Sequence, residues 1–104
     1  MNTKKSKIER SELLVALLGA RGRDNAVTGQ QLEIELLGRP TRRQLGLRAA
    51  IRRLIDDGHA IGSHPSVGYF MIDDDADLSM ATAHLATRIN SMAQRMIRIV
   101  ENAR

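Results

Sequence analysis

Cysteine and tryptophan are both missing from this 104-residue chain. Without thiols there can be neither a disulfide framework nor a thiolate metal site, and nothing points to an oxidising compartment, so a cytoplasmic protein is expected. Aromatics are scarce too, Tyr69 and Phe70 making up the whole 2%. Proteins that grip single-stranded nucleic acid stack bases on several aromatic faces, so the composition disfavours that class. Long apolar runs are absent as well. The stretch Leu13 to Leu18 is too short and too interrupted for a membrane span or a signal-peptide core, and no membrane association is expected.

The signatures of catalysis are equally thin. There is no glycine-rich phosphate loop, no nucleophile elbow and no acid pair with an evident pocket. His59, His64 and His84 lack ligand spacing. Asp73, Asp75 and Asp77 copy the alternation of a calcium loop, but Leu78 stands where glycine is required and His84 where the bidentate carboxylate belongs. The expectation is a protein that is not an enzyme and holds no metal, cofactor or small-molecule ligand.

What is present is charge. Sixteen Lys and Arg face twelve Asp and Glu, a formal +4, which favours an anionic partner, nucleic acid before a membrane surface. The 42% hydrophobic content is enough for one modest core.

Three capping-box patterns punctuate the first half of the chain. Ser6-Lys7-Ile8-Glu9 predicts a first helix over about 7–19, with Ile8, Leu13, Leu14, Leu17 and Leu18 as its buried stripe. Thr28-Gly29-Gln30-Gln31 predicts a short second helix over about 29–37, closed by Gly38. Thr41-Arg42-Arg43-Gln44, set apart by Pro40, predicts a third over about 42–57. Its Leu47, Ala50, Ile51 and Leu54 fall on one face, and Arg48, Ala49, Arg52 and Arg53 on the other. Ala26 and Val27 form an extended stub able to pair with a later strand.

Beyond Gly58, His59–Ser63 and Tyr69–Ile72 flank a turn at residues 64–68, a β-hairpin pattern. The expected organisation is a basic flexible N-terminus (1–6), one helical domain with a hairpin (7–72), a solvated acidic linker (73–77) and a last helix at 78–104, helical over about 78–102. The fold class is mainly α with a small β-hairpin and a long C-terminal helix.

Helix, stub, helix, turn, arginine-rich helix and hairpin is the element order of a winged helix-turn-helix. Val27 to Leu32, the run Ala49-Ala50-Ile51-Arg52-Arg53-Leu54-Ile55-Asp56-Asp57-Gly58-His59-Ala60-Ile61-Gly62-Ser63, and Gly68-Tyr69-Phe70 resemble the DNA-binding domains of biotin-repressor and deoxyribose-repressor type regulators. The resemblance covers roughly residues 8–72 and is carried by short apolar and glycine signposts. One departure is that Gly38-Arg39-Pro40-Thr41-Arg42 makes the turn before the third helix about three residues longer than those families have. The resemblance implies a duplex DNA partner and a transcriptional regulator, such as a repressor, acting by occupancy. The small size would suit a mobile-element gene.

Positions 39–58 hold six arginines against two aspartates, a surplus equal to the charge of the whole chain. The expected DNA contacts are Arg39, Thr41, Arg42, Arg43, Gln44, Arg48, Arg52 and Arg53, with His64 and Ser66 at the hairpin tip. Arg42, Arg43, Gln44 and Arg48 are the base-reading candidates; Arg39, Arg52 and Arg53 suit phosphates, and Lys4, Lys5 and Lys7 an arm. The alternative is a solvated face and an ordinary surface turn.

In the last helix Leu78, Leu85, Met92 and Ile99 recur every seven residues, interleaved with Thr82, Ile89, Met96 and Ala103. Such a seam predicts a homodimer through Leu78, Leu85, Ile89, Met92, Met96 and Ile99, the alternative being a stripe folded onto the chain's own core. Two other roles stay open: a protein-interaction module, and an architectural or replication-associated DNA binder.

Overall fold

The computed structural model describes residues 7–103. They form α1 (Arg10–Leu18), α2 (Gly29–Leu37), α3 (Leu45–Asp56), a hairpin of β1 (Ile61–His64) and β2 (Gly68–Met71), and α4 (Asp75–Asn102), with one 3-10 turn at Arg23–Asn25. The chain is therefore mainly α with a small antiparallel hairpin and a long C-terminal helix.

The core lies where the first three helices meet the hairpin. Leu13 and Leu17 of α1, Leu32 and Leu37 of α2, and Leu47, Ala50, Ile51 and Leu54 of α3 pack together with Ile61 of β1. The buried face of α3 is the one its 3.6-residue periodicity marks. Burial of each of its leucines is worth roughly 1.5–3 kcal/mol. Phe70 of β2 is fully buried as well.

Local sequence explains α2 completely. Thr28 Oγ1 accepts from the Gln31 backbone N–H at 3.1 Å while Gln31 Oε1 accepts from the Thr28 N–H at 2.8 Å, the reciprocal capping box. Gly38 ends the helix in the left-handed conformation. The start of α1 differs from expectation. It begins at Arg10 rather than about residue 7, behind Glu9, which makes no side-chain cap; Ser6 lies outside the described residues. Leu18, expected in the stripe, is exposed, because the helix ends beside it and the core takes Leu13 and Leu17.

The third capping box is only half made. Thr41 Oγ1 accepts from the Gln44 N–H at 3.2 Å, yet α3 starts at Leu45, three residues after the expected 42, and Gln44 is its N-cap at φ 56°. The cause lies in α2. The buried Glu33 carboxylate accepts from the Thr41 backbone N–H at 2.7 Å and from the Thr41 hydroxyl, so the turn is tied down before a helix can begin. Arg42 and Arg43 thus belong to the turn, not to α3.

The stub pairs as expected. Val27 and Tyr69 exchange both backbone hydrogen bonds, at 2.9 and 2.7 Å, and Gly22 N–H donates to Met71 O at 2.8 Å. Gly68 sits at φ 106°, where a Cβ would come 2.3 Å from the Val27 carbonyl oxygen, so glycine is required for both torsion and approach.

The acidic linker is not a linker. α4 begins at Asp75, not 78; Asp74 caps it by accepting from the Asp77 N–H at 2.8 Å, and Asp77 is only 1% exposed. Asp77 accepts from the Arg23 backbone N–H at 3.1 Å, from the Arg23 guanidinium at 2.6 Å and from the Asp73 N–H at 2.9 Å. Burial alone would push its carboxyl up, but these donors and the Arg23 charge hold it below the ordinary value. The hydrogen bond to Asp77 and the charge of Asp74 in turn raise Arg23. Arg23–Asp74 and Arg21–Asp73 pairs, at 3.1 and 3.0 Å, complete the clamp.

Beyond the clamp Ala81 is buried where α4 meets the hairpin: a Cβ at Gly62 would fall 3.0 Å from the Ala81 Cβ and 2.9 Å from the Phe70 ring. From Leu85 to Asn102 every residue is exposed. That free stretch of α4 is roughly 27 Å long at 1.5 Å per residue, and it stretches the molecule to 61 × 33 × 25 Å.

Candidate nucleic-acid interface

α3 presents its cationic side outward. Arg48, Arg52 and Arg53 are exposed, as are Arg39, Arg42 and Arg43 in the preceding turn. Nearer the start of the chain arginines are neutralised: Arg10 pairs with Asp57 at 2.9 Å, and Arg21 and Arg23 pair with the acidic start of α4. Among the described residues no hydrogen bond or ion pair engages the guanidinium groups of Arg42, Arg43, Arg48, Arg52 or Arg53. Asp73, Asp74 and Asp77 are spent on anchoring α4, and Arg42, Arg43, Arg48, Arg52 and Arg53 keep their charge for solvent or a ligand.

Two recesses divide these arginines. Arg48 and Arg52 open onto a groove of about 710 Å³ whose far wall is the hairpin, residues 63–69. Arg39 and Arg53 border a smaller recess of about 280 Å³ beside Lys7, Glu33 and Thr41. Consecutive arginines at 52 and 53, about 100° apart around α3, therefore border different recesses. Lys4 and Lys5 lie outside the described residues.

Two expected contacts are engaged within the chain. Thr41 is held by Glu33, and Gln44 lies across Gly29 so closely that a Cβ there would fall 2.2 Å from Gln44 Oε1. Thr41 and Gln44 thus shape the turn rather than projecting from it. At the hairpin tip His64 Nδ1 accepts from the Ser66 backbone N–H at 3.1 Å and sits 2.7 Å from the Ser66 hydroxyl. His64 and Ser66 are joined to one another on the groove wall.

Sequence reasoning missed the third wall. His84 and Arg88 of α4 line the same groove as Arg48 and Arg52, and the His84 ring centre is 5.4 Å from that of His64. Thr28 and Gly29 place the N-terminal end of α2, with its partial positive charge, on the groove as well. The seven-residue spacing of α4 put Arg88 beside its apolar seam, but nothing local to the sequence links it to α3.

The six residues expected at a dimer seam are Leu78, Leu85, Ile89, Met92, Met96 and Ile99, and all are exposed, at 47–68%. The stripe does not fold back onto the chain's own core. Ile97 and Val100, outside the expected seam, widen it near the C-terminal end. No described helix is long and apolar enough to cross a membrane. Among the described residues no group of three or more His, Asp or Glu is placed to hold a metal ion. Comparison with family models, with curated proteins and with solved structures gave no match for this chain.

Proposed function

We propose that this chain is a winged helix-turn-helix protein that binds duplex DNA in a sequence-specific manner, a transcriptional regulator acting by occupancy. In this reading α3 enters the major groove and the hairpin serves as the wing. The observation that carries it is the set of exposed arginines Arg42, Arg43, Arg48, Arg52 and Arg53, with no ion pair among the described residues, in a chain whose arginines between residues 10 and 23 are all matched to aspartates. A merely solvated surface gives no reason for one side of the molecule to be neutralised and the other left charged. The lack of further aromatics for base stacking favours duplex over single strand.

The exposed seam of α4 supports a homodimer, with each copy supplying one helix. Sedimentation at micromolar concentration tests this directly: a dimer is expected, and a clean monomer removes it.

The test of the DNA reading is selection of bound duplexes from a random pool, followed by binding of the selected site by Arg48→Ala and Arg53→Ala. A defined motif and weakened binding by at least one variant are expected, because loss of an arginine contact lowers affinity for the duplex whether it meets a base or a phosphate. No enrichment, or parental affinity in both variants, counts against it. A protein-interaction module predicts a shallow salt dependence instead of the steep one that phosphate contacts impose.

A further inference from the structure

The groove has a wall that a hairpin and an outward helix alone would not supply. Arg48 and Arg52 stand on α3, successive members of one helical face, and Arg88 reaches the same space from α4. All three are exposed, and none has a hydrogen bond or ion pair among the described residues. No acidic residue lines the groove, whereas serine, threonine, tyrosine and two histidines do. The N-terminal end of α2 adds its partial positive charge. Three uncompensated guanidinium groups in one open groove repel each other unless an anion lies between them. The groove is open to solvent rather than an enclosed cavity, and at about 710 Å³ it is far larger than a single small anion, which suits a segment of polyanion.

We infer that Arg88 is a DNA contact: with Arg48 and Arg52 it holds the phosphodiester backbone of one strand of the duplex, making the last helix part of the binding surface. This deepens the DNA-binding reading and rests on it. It also reassigns Arg48, whose place beside Arg52 in the groove makes it a phosphate contact rather than a base reader. The Arg23–Asp77 clamp gives the contact its geometry, because it fixes the first turn of α4 to the 3-10 turn at Arg23–Asn25, and Ala81 then seats α4 on the hairpin ahead of His84 and Arg88.

The experiment compares Arg88→Gln with Arg95→Gln in the full chain, measuring affinity for the selected duplex and for a random duplex over a salt series. Arg95 lies on the same flank of α4 one heptad further on and outside the groove lining. Arg88→Gln is expected to lessen the log–log salt slope by about 0.9, the value of one phosphate contact. The parent-to-variant affinity ratio should then grow about 3.5-fold between 200 and 50 mM salt, equally on both duplexes. Arg95→Gln should keep the parental slope, and Arg52→Gln should resemble Arg88→Gln. A parental slope in Arg88→Gln overturns the inference, and so does an equal loss in Arg95→Gln, which would mean a diffuse field rather than a contact. A loss on the selected duplex alone also overturns it, pointing to base reading. Failure of the parent to bind any duplex removes the functional reading itself, a result distinct from all of these.

Discussion

Asp77 is a carboxylate taken out of water and given three hydrogen-bond donors in return. Such a group ties stability to pH with a definite sign. Its folded-state pKa lies below its unfolded value, so its contribution is complete above about pH 4 and is lost as pH falls through the lower, folded value. Acidification from about pH 4 downward, until the folded-state group is itself protonated, should reduce the free energy of unfolding more steeply in the parent than in Asp77→Asn, as read from urea midpoints across pH. Parallel curves for the two proteins would remove the clamp from the stability balance. Glu33 has a different task. Its replacement by alanine leaves the Thr41 N–H and hydroxyl without their acceptor, at an expected cost of about 1–3 kcal/mol in urea unfolding. A cost no larger than that of an exposed Glu35→Ala change would mean that the turn holds without it.

Elements differ in how far they can be read from the chain alone, and the distance between partners decides it. The α2 cap joins residues three apart, Thr28 and Gln31, and its pattern is visible in the sequence. Glu33 and Thr41 are eight apart in different elements, so the delay of α3 to Leu45 and the loss of Arg42 and Arg43 from it could not be read. Arg23 and Asp77 are 54 apart, which is why a run of aspartates passed for a solvated linker. The groove residues Arg88 and His84 were hidden for the same reason. The seam of α4 was legible because its period is local, and in the proposed homodimer its flanks would set how two copies meet. Arg88 and Arg95 border one side of the seam, and Ala86, Ala93 and Val100 the other. A parallel pair sets each arginine flank against the partner's small apolar flank, whereas an antiparallel pair opposes arginine to arginine. In a chain without cysteine, Ala103→Cys should therefore form a disulfide with itself on oxidation. Cross-linking only when Leu85→Cys is mixed with Ala103→Cys would show the antiparallel arrangement.

At the scale of the whole molecule, charge is unevenly distributed. The face toward α1 and the base of α4 is internally neutralised, and the α3 side and the groove are not. Compression of the net +4 into one region is what raises local attraction for an anionic polymer above what the total suggests. The general element order was legible because glycine, proline and capping residues mark each boundary. The partition of arginines between two recesses was not, since it depends on which way α3 is rolled against the core.

The clamp at the start of α4 has one more consequence. Residues 73–77 replace a hinge by a bolted joint, so two copies joined through their free helices would form a caliper with fixed jaws. Such a tool cannot stretch to suit its object. Insertion of five base pairs between paired half-sites, which turns one to the opposite side of the double helix, should abolish cooperative occupancy, and ten should not restore it fully. Retained cooperativity at every spacing would mean that the joint yields.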